Sequence, residues 1–444
     1  MRGIRDPGTL LTVCGGSAVP RRSAAALSKR FPSVVVTPIS SRPRPHADRQ
    51  GPDAPPTRRR PKVVHVSTSD MSIGVLLLHQ LMHYRQAGYE VVAVCTPGRY
   101  LPRAEEAGIR VIPVPMIRAI TPLADLRALR QLVSVFRRER PDVVHTHTPK
   151  AGLLAQWAAW LARVPARIHT IHGLYFPSHM TPRTRPFYVA MERATMQWAH
   201  LVLSQNPEDI PVAIRERICR EDGIRLLGNG IDLSRFDPAR VSDTEVRALR
   251  EEIGLPENAP VVGIVARVNR EKGYEELFEA AAIVARDVPG VCFLVIGPVE
   301  HEKADALDPE ELAVRHGVAD RLYFLGLRDD MPVLYRLMDV LAHPSHREGW
   351  PRAPMEAAAM GVPSVVTDIR GCRQVVVDGT TGIMVPVRDS AALAAALTVL
   401  LNDPERRWAM GRAARSHALE AFDEAGVVRR TLEVYREFAP APAA

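Results

Sequence analysis

Apolar residues fall into short runs, separated by amphipathic stretches, along most of the chain. The first run, Lys62-Val-Val-His-Val-Ser67, ends in polar residues. Leu77, Leu81 and Tyr84 then recur near a three-to-four spacing, which predicts a helix over Gly74–Ala87 ended by Gly88. Glu90–Cys95 is the next strand, and a β-α-β unit of about thirty residues marks a parallel sheet. The alternation continues with a helix over Pro122–Arg138, carrying Leu126, Leu129, Val133 and Phe136 on one face. Strands follow at Asp142–His147, from Arg167 to the turn at Gly173, and at Leu201–Ser204. A second series opens with a strand at Val261–Arg267 and a helix carrying Glu275, Leu277 and Ala281. It continues through strands at Val291–Gly297, Leu322–Gly326 and Val340–Ala342, and a short helix at Met331–Met338. Helices at about Pro354–Met360, Ala391–Leu401 and Ala425–Phe438 complete it.

Two such series predict an α/β protein of two parallel-sheet domains, over residues 61–238 and 239–424, with a terminal segment at 425–444. Residues 1–60 fit neither series. They hold nine prolines, twelve basic and three acidic residues, and read as a disordered extension. That segment changes the meaning of the formal charge of +8, because it carries +9 and the remainder carries −1. The folded part is near neutral, which disfavours a nucleic-acid partner. The five cysteines are scattered without a C-x-x-C pair, so a reducing compartment and no zinc site are expected. No apolar run reaches the roughly 18 residues of a spanning helix. Arg127, Arg130, Arg137, Arg138 and Arg140 lie largely off the apolar face of their helix. They read as a solvated face or, alternatively, as contact with an anionic membrane.

Candidate chemistry gathers where strands end. The loop Thr68–Gly74 follows a strand, where α/β sheets bind ligands. His145 and His147 face one side of their strand, but no third metal ligand lies at a recognisable spacing. Neither G-x-G-x-x-G nor G-x4-G-K is present, which disfavours a dinucleotide oxidoreductase and a P-loop nucleotidase. The densest stretch is His343–Pro386. Pro354 suits a first helical position, placing Glu356 in the first turn near unpaired N–H groups. Such a helix start can hold a diphosphate, with Glu356 accepting hydrogen bonds from sugar hydroxyls and Glu348 on the other side of the phosphates. Leu327, after the Leu322–Gly326 strand, offers a backbone edge for a nucleotide base.

E-G-x6-E from Glu348 to Glu356, preceded by H-P-S and followed by A-x-G-x-P-x-V and D-G-x-x-G, resembles the signature of the retaining glycosyltransferases of family 4. The resemblance implies a GT-B fold, in which two Rossmann-like domains face across a cleft and a C-terminal helix crosses back to the first. It extends to Asn229-Gly-Ile-Asp232 with Phe236, and to Ala266-Arg267 with Lys272-Gly273. It implies that Arg267 and Lys272 clamp a donor diphosphate beside Gly349, that Glu356 holds the ribose, and that Glu348 contacts the transferred sugar. His172, in a T-x-H-G context, matches the family's active-site histidine. The run from His145 to Gly152 resembles a loop of the branch that builds capsular polysaccharides and lipid-linked oligosaccharides, making Thr148 and Lys150 candidates for acceptor contact.

The implied activity is metal-independent transfer of a hexose or N-acetylhexosamine from a nucleotide sugar, expected to be UDP-linked. The implied acceptor is a polyprenyl-diphosphate-linked or other glycan, at the cytoplasmic face of the plasma membrane. No cofactor is expected, and no D-x-D motif is present for a bridging metal. The residues leave open a non-catalytic partner subunit and a transferase with a soluble acceptor. Two departures are visible: Met71-Ser-Ile-Gly74 stands where relatives carry adjacent glycines, and Pro298 follows Gly297 where they often show G-x-G.

Overall fold

A computed structural model describes residues 59–117, 119, 121–174, 183–299 and 307–439. Nearly all of the predicted extension, and residues 175–182 of the segment after Gly173, lie outside the described residues. The chain forms two parallel sheets. The first contains β1 (Lys62–Val66), β2 (Glu90–Cys95), β3 (Arg110–Pro113), β4 (Val143–Thr146), β5 (Ala166–Ile171), β6 (Leu201–Ser204) and β7 (Ile224–Leu226), in the order β3-β2-β1-β4-β5-β6-β7. The second contains β8 (Val261–Val265), β9 (Cys292–Ile296), β10 (Leu322–Gly326), β11 (Val340–His343), β12 (Ser364–Thr367) and β13 (Gly382–Val385), in the order β10-β9-β8-β11-β12-β13. Strand order reverses between β1 and β4 in the first sheet and between β8 and β11 in the second. A crevice opens at the carboxyl ends of strands at such a reversal, because the flanking connections leave in opposite directions.

The strands are rich in valine because helices cover both faces of each sheet. Val64, Val66, Leu132 and Phe136 share the core on one face of the first sheet, and Val63, Leu81, Tyr84 and Leu203 that on the other. Two further cores flank the second sheet. The last two helices belong to different lobes. Ala414 and Ala418 of the helix Pro404–Ala421 pack in the second lobe, whereas Val427, Val428, Leu432 and Tyr435 of the helix Glu424–Phe438 pack in the first. The crossing is fixed where Ile231 N donates to Phe422 O at 2.9 Å and Glu424 N donates to Ile231 O at 3.2 Å.

Three details differ from the sequence reading. The helix expected over Gly74–Ala87 is a π-turn at Ser72–Leu76 followed by an α-helix at Leu78–Gln86. On the helix Pro122–Glu139, Leu126 faces solvent, and the buried positions include Ala128, Leu129, Leu132, Val135 and Phe136. Asn229-Gly230 suits a tight turn as a sequence, but Gly230 is not held at positive φ. A Cβ there would lie 2.7 Å from the Glu424 backbone, so its small size serves the crossing. Gly230→Val should therefore destabilise the protein by about 1–3 kcal/mol through overpacking, read as a lower denaturation midpoint. An unchanged midpoint would show that the crossing can move aside.

Candidate active site

Two loops meet at the crevice of the second sheet, one after β8 and one after β11. The first is turned by Asn269, whose side-chain oxygen accepts from Lys272 N at 3.1 Å, and by Gly273 at φ 75°. A Cβ on Gly273 would lie 2.2 Å from the Pro344 carbonyl oxygen, so the glycine lets the two loops touch. Three further contacts tie them. Lys272 Nζ lies 2.6 Å from Glu348 Oε1, Arg347 Nε lies 2.6 Å from Glu271 Oε1, and His346 N donates to Glu271 O at 2.8 Å. His343 Nε2 lies 2.9 Å from the same Glu348 oxygen. Burial alone would raise the Glu348 carboxyl, but the Lys272 charge and the hydrogen bonds from His343 and Lys272 outweigh it. Glu348 is therefore held well below the usual range and stays ionised.

Glu356 stands behind this pair. The helix begins at Arg352, with Pro351 as its cap, two residues earlier than expected. Pro354 is thus the third helical residue, still within the turn whose N–H groups have no helical partner, and Glu356 lies in the second turn. Tyr335 donates to Glu356 Oε2 at 3.0 Å, and Arg352 Nε lies 3.6 Å from its other oxygen. Burial raises its carboxyl, opposed by the Arg352 charge and the Tyr335 hydrogen bond.

The first lobe reaches the same crevice. His172 directly follows β5 and is exposed, with its Nδ1 at 3.0 Å from Gln205 Oε1. A Cβ on Gly349 would lie 1.8 Å from the His172 carbonyl oxygen, and one on Gly173 would lie 2.6 Å from Gly349 Cα. The two lobes thus meet backbone to backbone, glycine against glycine. Asn206 Nδ2 donates to Gly349 O at 3.0 Å, and Arg370 pairs with the buried Asp209 across the same boundary. Beside Glu348 a cavity of about 550 Å³ is lined by Leu174 and Glu208 of the first lobe and by Arg347, Asp368, Arg370 and Arg373 of the second.

Of the residues singled out in the sequence, Lys272, Glu348, Gly349 and His172 come together at this boundary, with Glu356 on the adjoining helix. Arg267 is half-buried just beyond the carboxyl end of β8. Leu327 follows β10, the edge strand two places from β8, and is exposed. Thr148 joins the reversal of the first sheet, with its hydroxyl 3.1 Å from both the Thr68 N and the Thr68 hydroxyl. Lys150 does not present a free ammonium to the cleft; its Nζ lies 2.6 Å from Asp125 Oδ1 and also meets the Ala119 carbonyl.

The sequence reading also missed participants. His343, Gln205 and Asn206 each follow or end a strand at its carboxyl end, a position that could have flagged them. No third metal ligand lies at a recognisable spacing from His145 and His147 in the sequence, but the fold brings a third histidine to them from another strand. Strand register sets His65 directly beside His145, and the ligand nitrogens of His65, His145 and His147 lie within 4.8 Å of one another. Those rings are committed to hydrogen bonds among themselves and with Tyr435, Thr170 and His172.

Residues 245–417 match the model for glycosyl transferases group 1, and residues 72–230 that for a glycosyl transferase 4-like domain. A Staphylococcus aureus protein named as a capsular polysaccharide biosynthesis glycosyltransferase, CapM, is 28% identical over 85% of this chain and 97% of its own. An Escherichia coli protein named as a UDP-Gal:alpha-D-GlcNAc-diphosphoundecaprenol alpha-1,3-galactosyltransferase is 27% identical, with the same coverage of each. Anabaena HepE, solved in complex with UDP and glucose, superposes with a TM-score of 0.74 at 22% identity, over 85% of this chain and all of that one. Its two-domain arrangement is the GT-B fold expected from the sequence.

Lys272→Met would leave Glu348 enclosed without its cation. The native carboxyl is depressed on folding, so its stabilisation is full above the ordinary glutamate range and is lost as pH falls through the folded value. In the variant the carboxyl is raised instead, and stability returns as it protonates. Chemical denaturation should show a loss of about 3 kcal/mol at pH 7, narrowing as pH falls toward 4. A gap independent of pH would place the cause elsewhere.

Proposed function

The chain belongs to the glycosyltransferases of group 1, and from that premise we propose a donor, an acceptor and a mechanism. The donor is a UDP-linked hexose or N-acetylhexosamine. The acceptor is a lipid-linked or polysaccharide glycan of the cell surface, and transfer retains the anomeric configuration without a metal. The observation that carries this reading is the joining of Lys272, His343 and Glu348 where two glycine-tightened loops close the crevice of the second sheet. The relatives named for capsular and diphosphoundecaprenol-linked substrates, and the neighbour solved with UDP, support the substrate classes.

In this reading the Lys272 ammonium turns from Glu348 toward the donor diphosphate. Arg267 and the N–H groups near Gly349 join it, offsetting the charge that grows on the leaving group. Fixed cations supply what a bridging metal would otherwise supply. Glu356, oriented by Tyr335, accepts from the ribose hydroxyls, and the backbone at Leu327 meets the base. Glu348, ionised throughout, faces the transferred sugar and opposes positive charge developing at its anomeric carbon. His172 holds the sugar from the opposite lobe. The departing phosphate oxygen guides the acceptor to the same face, which accounts for retention. The loop fixed by Thr148 and Lys150 borders the acceptor side.

The helix Pro122–Glu139 supplies a reading for the membrane. Leu123 and Leu126 are exposed beside Arg127 and Arg130, and Arg137 and Arg138 line a groove with Leu161. Apolar side chains flanked by cations fit the headgroup boundary of an anionic membrane. None of the described helices is long and apolar enough to cross a membrane.

Purified protein incubated with a panel of nucleotide sugars should slowly release UDP from one donor. Glu348→Gln and Lys272→Ala should each lower that rate by about a hundredfold. Neither turnover nor binding with any nucleotide sugar would overturn the donor assignment and favour a non-catalytic subunit. In co-sedimentation, the protein should follow vesicles containing phosphatidylglycerol and lose them when Arg137 and Arg138 are replaced by glutamate. Equal sedimentation with neutral vesicles would contradict the membrane reading.

A further inference from the structure

Behind His172 runs a line of side chains that takes no direct part in the proposed transfer. His172 Nε2 lies 3.2 Å from His147 Nδ1, and His147 Nε2 lies 2.9 Å from His65 Nδ1. His65 Nε2 lies 3.2 Å from the Tyr435 hydroxyl, which lies 2.7 Å from His145 Nδ1. His145 Nε2 lies 2.7 Å from the Thr170 hydroxyl, and at the cleft end His172 Nδ1 meets Gln205 Oε1 at 3.0 Å. His65, His145, His147, Thr170 and Tyr435 are all buried, and they come from β1, β4 and its following residue, β5, and the terminal helix. His65 stacks on His147 and on Tyr84.

These contacts form one chain whose polarity is set as a whole. Burial keeps the rings neutral: it lowers His65 to about 3 and holds His145 and His147 well below the ordinary histidine value. A neutral imidazole has one N–H and one acceptor nitrogen, so fixing one ring fixes its neighbour. Gln205 presents its carbonyl oxygen, which accepts from His172 Nδ1–H. His172 Nε2 then accepts from His147 Nδ1–H, and His147 Nε2 from His65 Nδ1–H. His65 Nε2 accepts from the Tyr435 hydroxyl, whose oxygen accepts from His145 Nδ1–H. His145 Nε2 accepts from Thr170. Every ring nitrogen is satisfied, and all four histidines carry their proton on Nδ1.

We propose that Tyr435, on the terminal helix, is a positioning residue for His172, acting through His65 and His147. Its hydroxyl is the donor that satisfies His65 Nε2, closing at the buried end the direction that Gln205 sets at the cleft. The relay keeps His172 neutral and holds its ring, because turning the ring breaks the bonds at both of its nitrogens. Docking of the last helix onto the first lobe is thereby coupled to the group that faces the sugar. The proposal rests on His172 lying in the transfer site. A metal shared by His65, His145 and His147 would need ring nitrogens that the relay already occupies.

Long-range proton–nitrogen NMR of histidine-labelled, ligand-free protein reads each tautomer directly, with signals assigned from single His→Gln variants. The expected result is Nδ1–H for His65, His145, His147 and His172. An Nε2–H tautomer at any of the four overturns the relay, and that measurement requires neither a Tyr435 variant nor activity. Tyr435→Phe, checked for folding by circular dichroism, leaves His65 Nε2 without its donor and should loosen the rings, read as shifted or broadened nitrogen signals at His65, His147 and His172. It should lower kcat about tenfold, the lower end for loss of an orienting partner, with the donor KM within twofold of wild type. Wild-type kcat with an unchanged His172 signal would overturn the proposal while leaving the transferase reading intact. Absence of donor turnover in the wild-type protein would sink that reading instead.

Discussion

The contact on which the arrangement depends is the meeting of Gly349 with His172 and Gly173. No side chain fits at either glycine without entering the opposite backbone. Because both are bare, the loop that carries Glu348 comes within reach of the carboxyl end of β5, and the crevices of two separate sheets become one cleft. Gly273 against Pro344 does the same within the second lobe, bringing Lys272 to Glu348. These glycines act by permitting close approach, and what they permit is a cluster of charges at a lobe boundary.

That cluster is balanced internally. Glu348 faces a lysine and a histidine, Glu271 faces Arg347, and Asp209 faces Arg370 from the other lobe. Charges withdrawn from water at such a boundary are tolerable only when paired, and removing one partner costs more than the pair contributes. The same balance makes the site responsive. In the proposed reading, an incoming diphosphate competes with Glu348 for Lys272, and the carboxylate is released toward the sugar as the cation is drawn to the phosphates.

Much of this was legible in the sequence, for reasons that differ by residue. The parallel sheets follow from valine-rich runs at regular intervals, a pattern that depends on burial alone. Gly349, Lys272 and His172 were named through the family resemblance that their motifs carry, and Glu348 from its loop as well; the fold brings the four together at the lobe boundary. The start of the helix that carries Glu356 was misplaced because Pro354 suits a first helical position, whereas the backbone places it third, after Pro351 as the cap. The pairing of Lys150, an acceptor-contact candidate, with Asp125 was not legible, because Asp125 comes from a separate helix that local spacing does not connect. The histidine relay was hidden for the same reason. Strand register sets His65 beside His145, and Tyr435 arrives from the far end of the chain.

The central claim is that a nucleotide diphosphate lies between Arg267 and Lys272, with its ribose against Glu356. A crystal structure of the protein with UDP bound tests this most directly. The account predicts the diphosphate oxygens within hydrogen-bond distance of Arg267 and of Lys272, the latter turned from Glu348, and a ribose hydroxyl on a Glu356 oxygen. UDP bound elsewhere, with the Lys272–Glu348 pair intact, would contradict it.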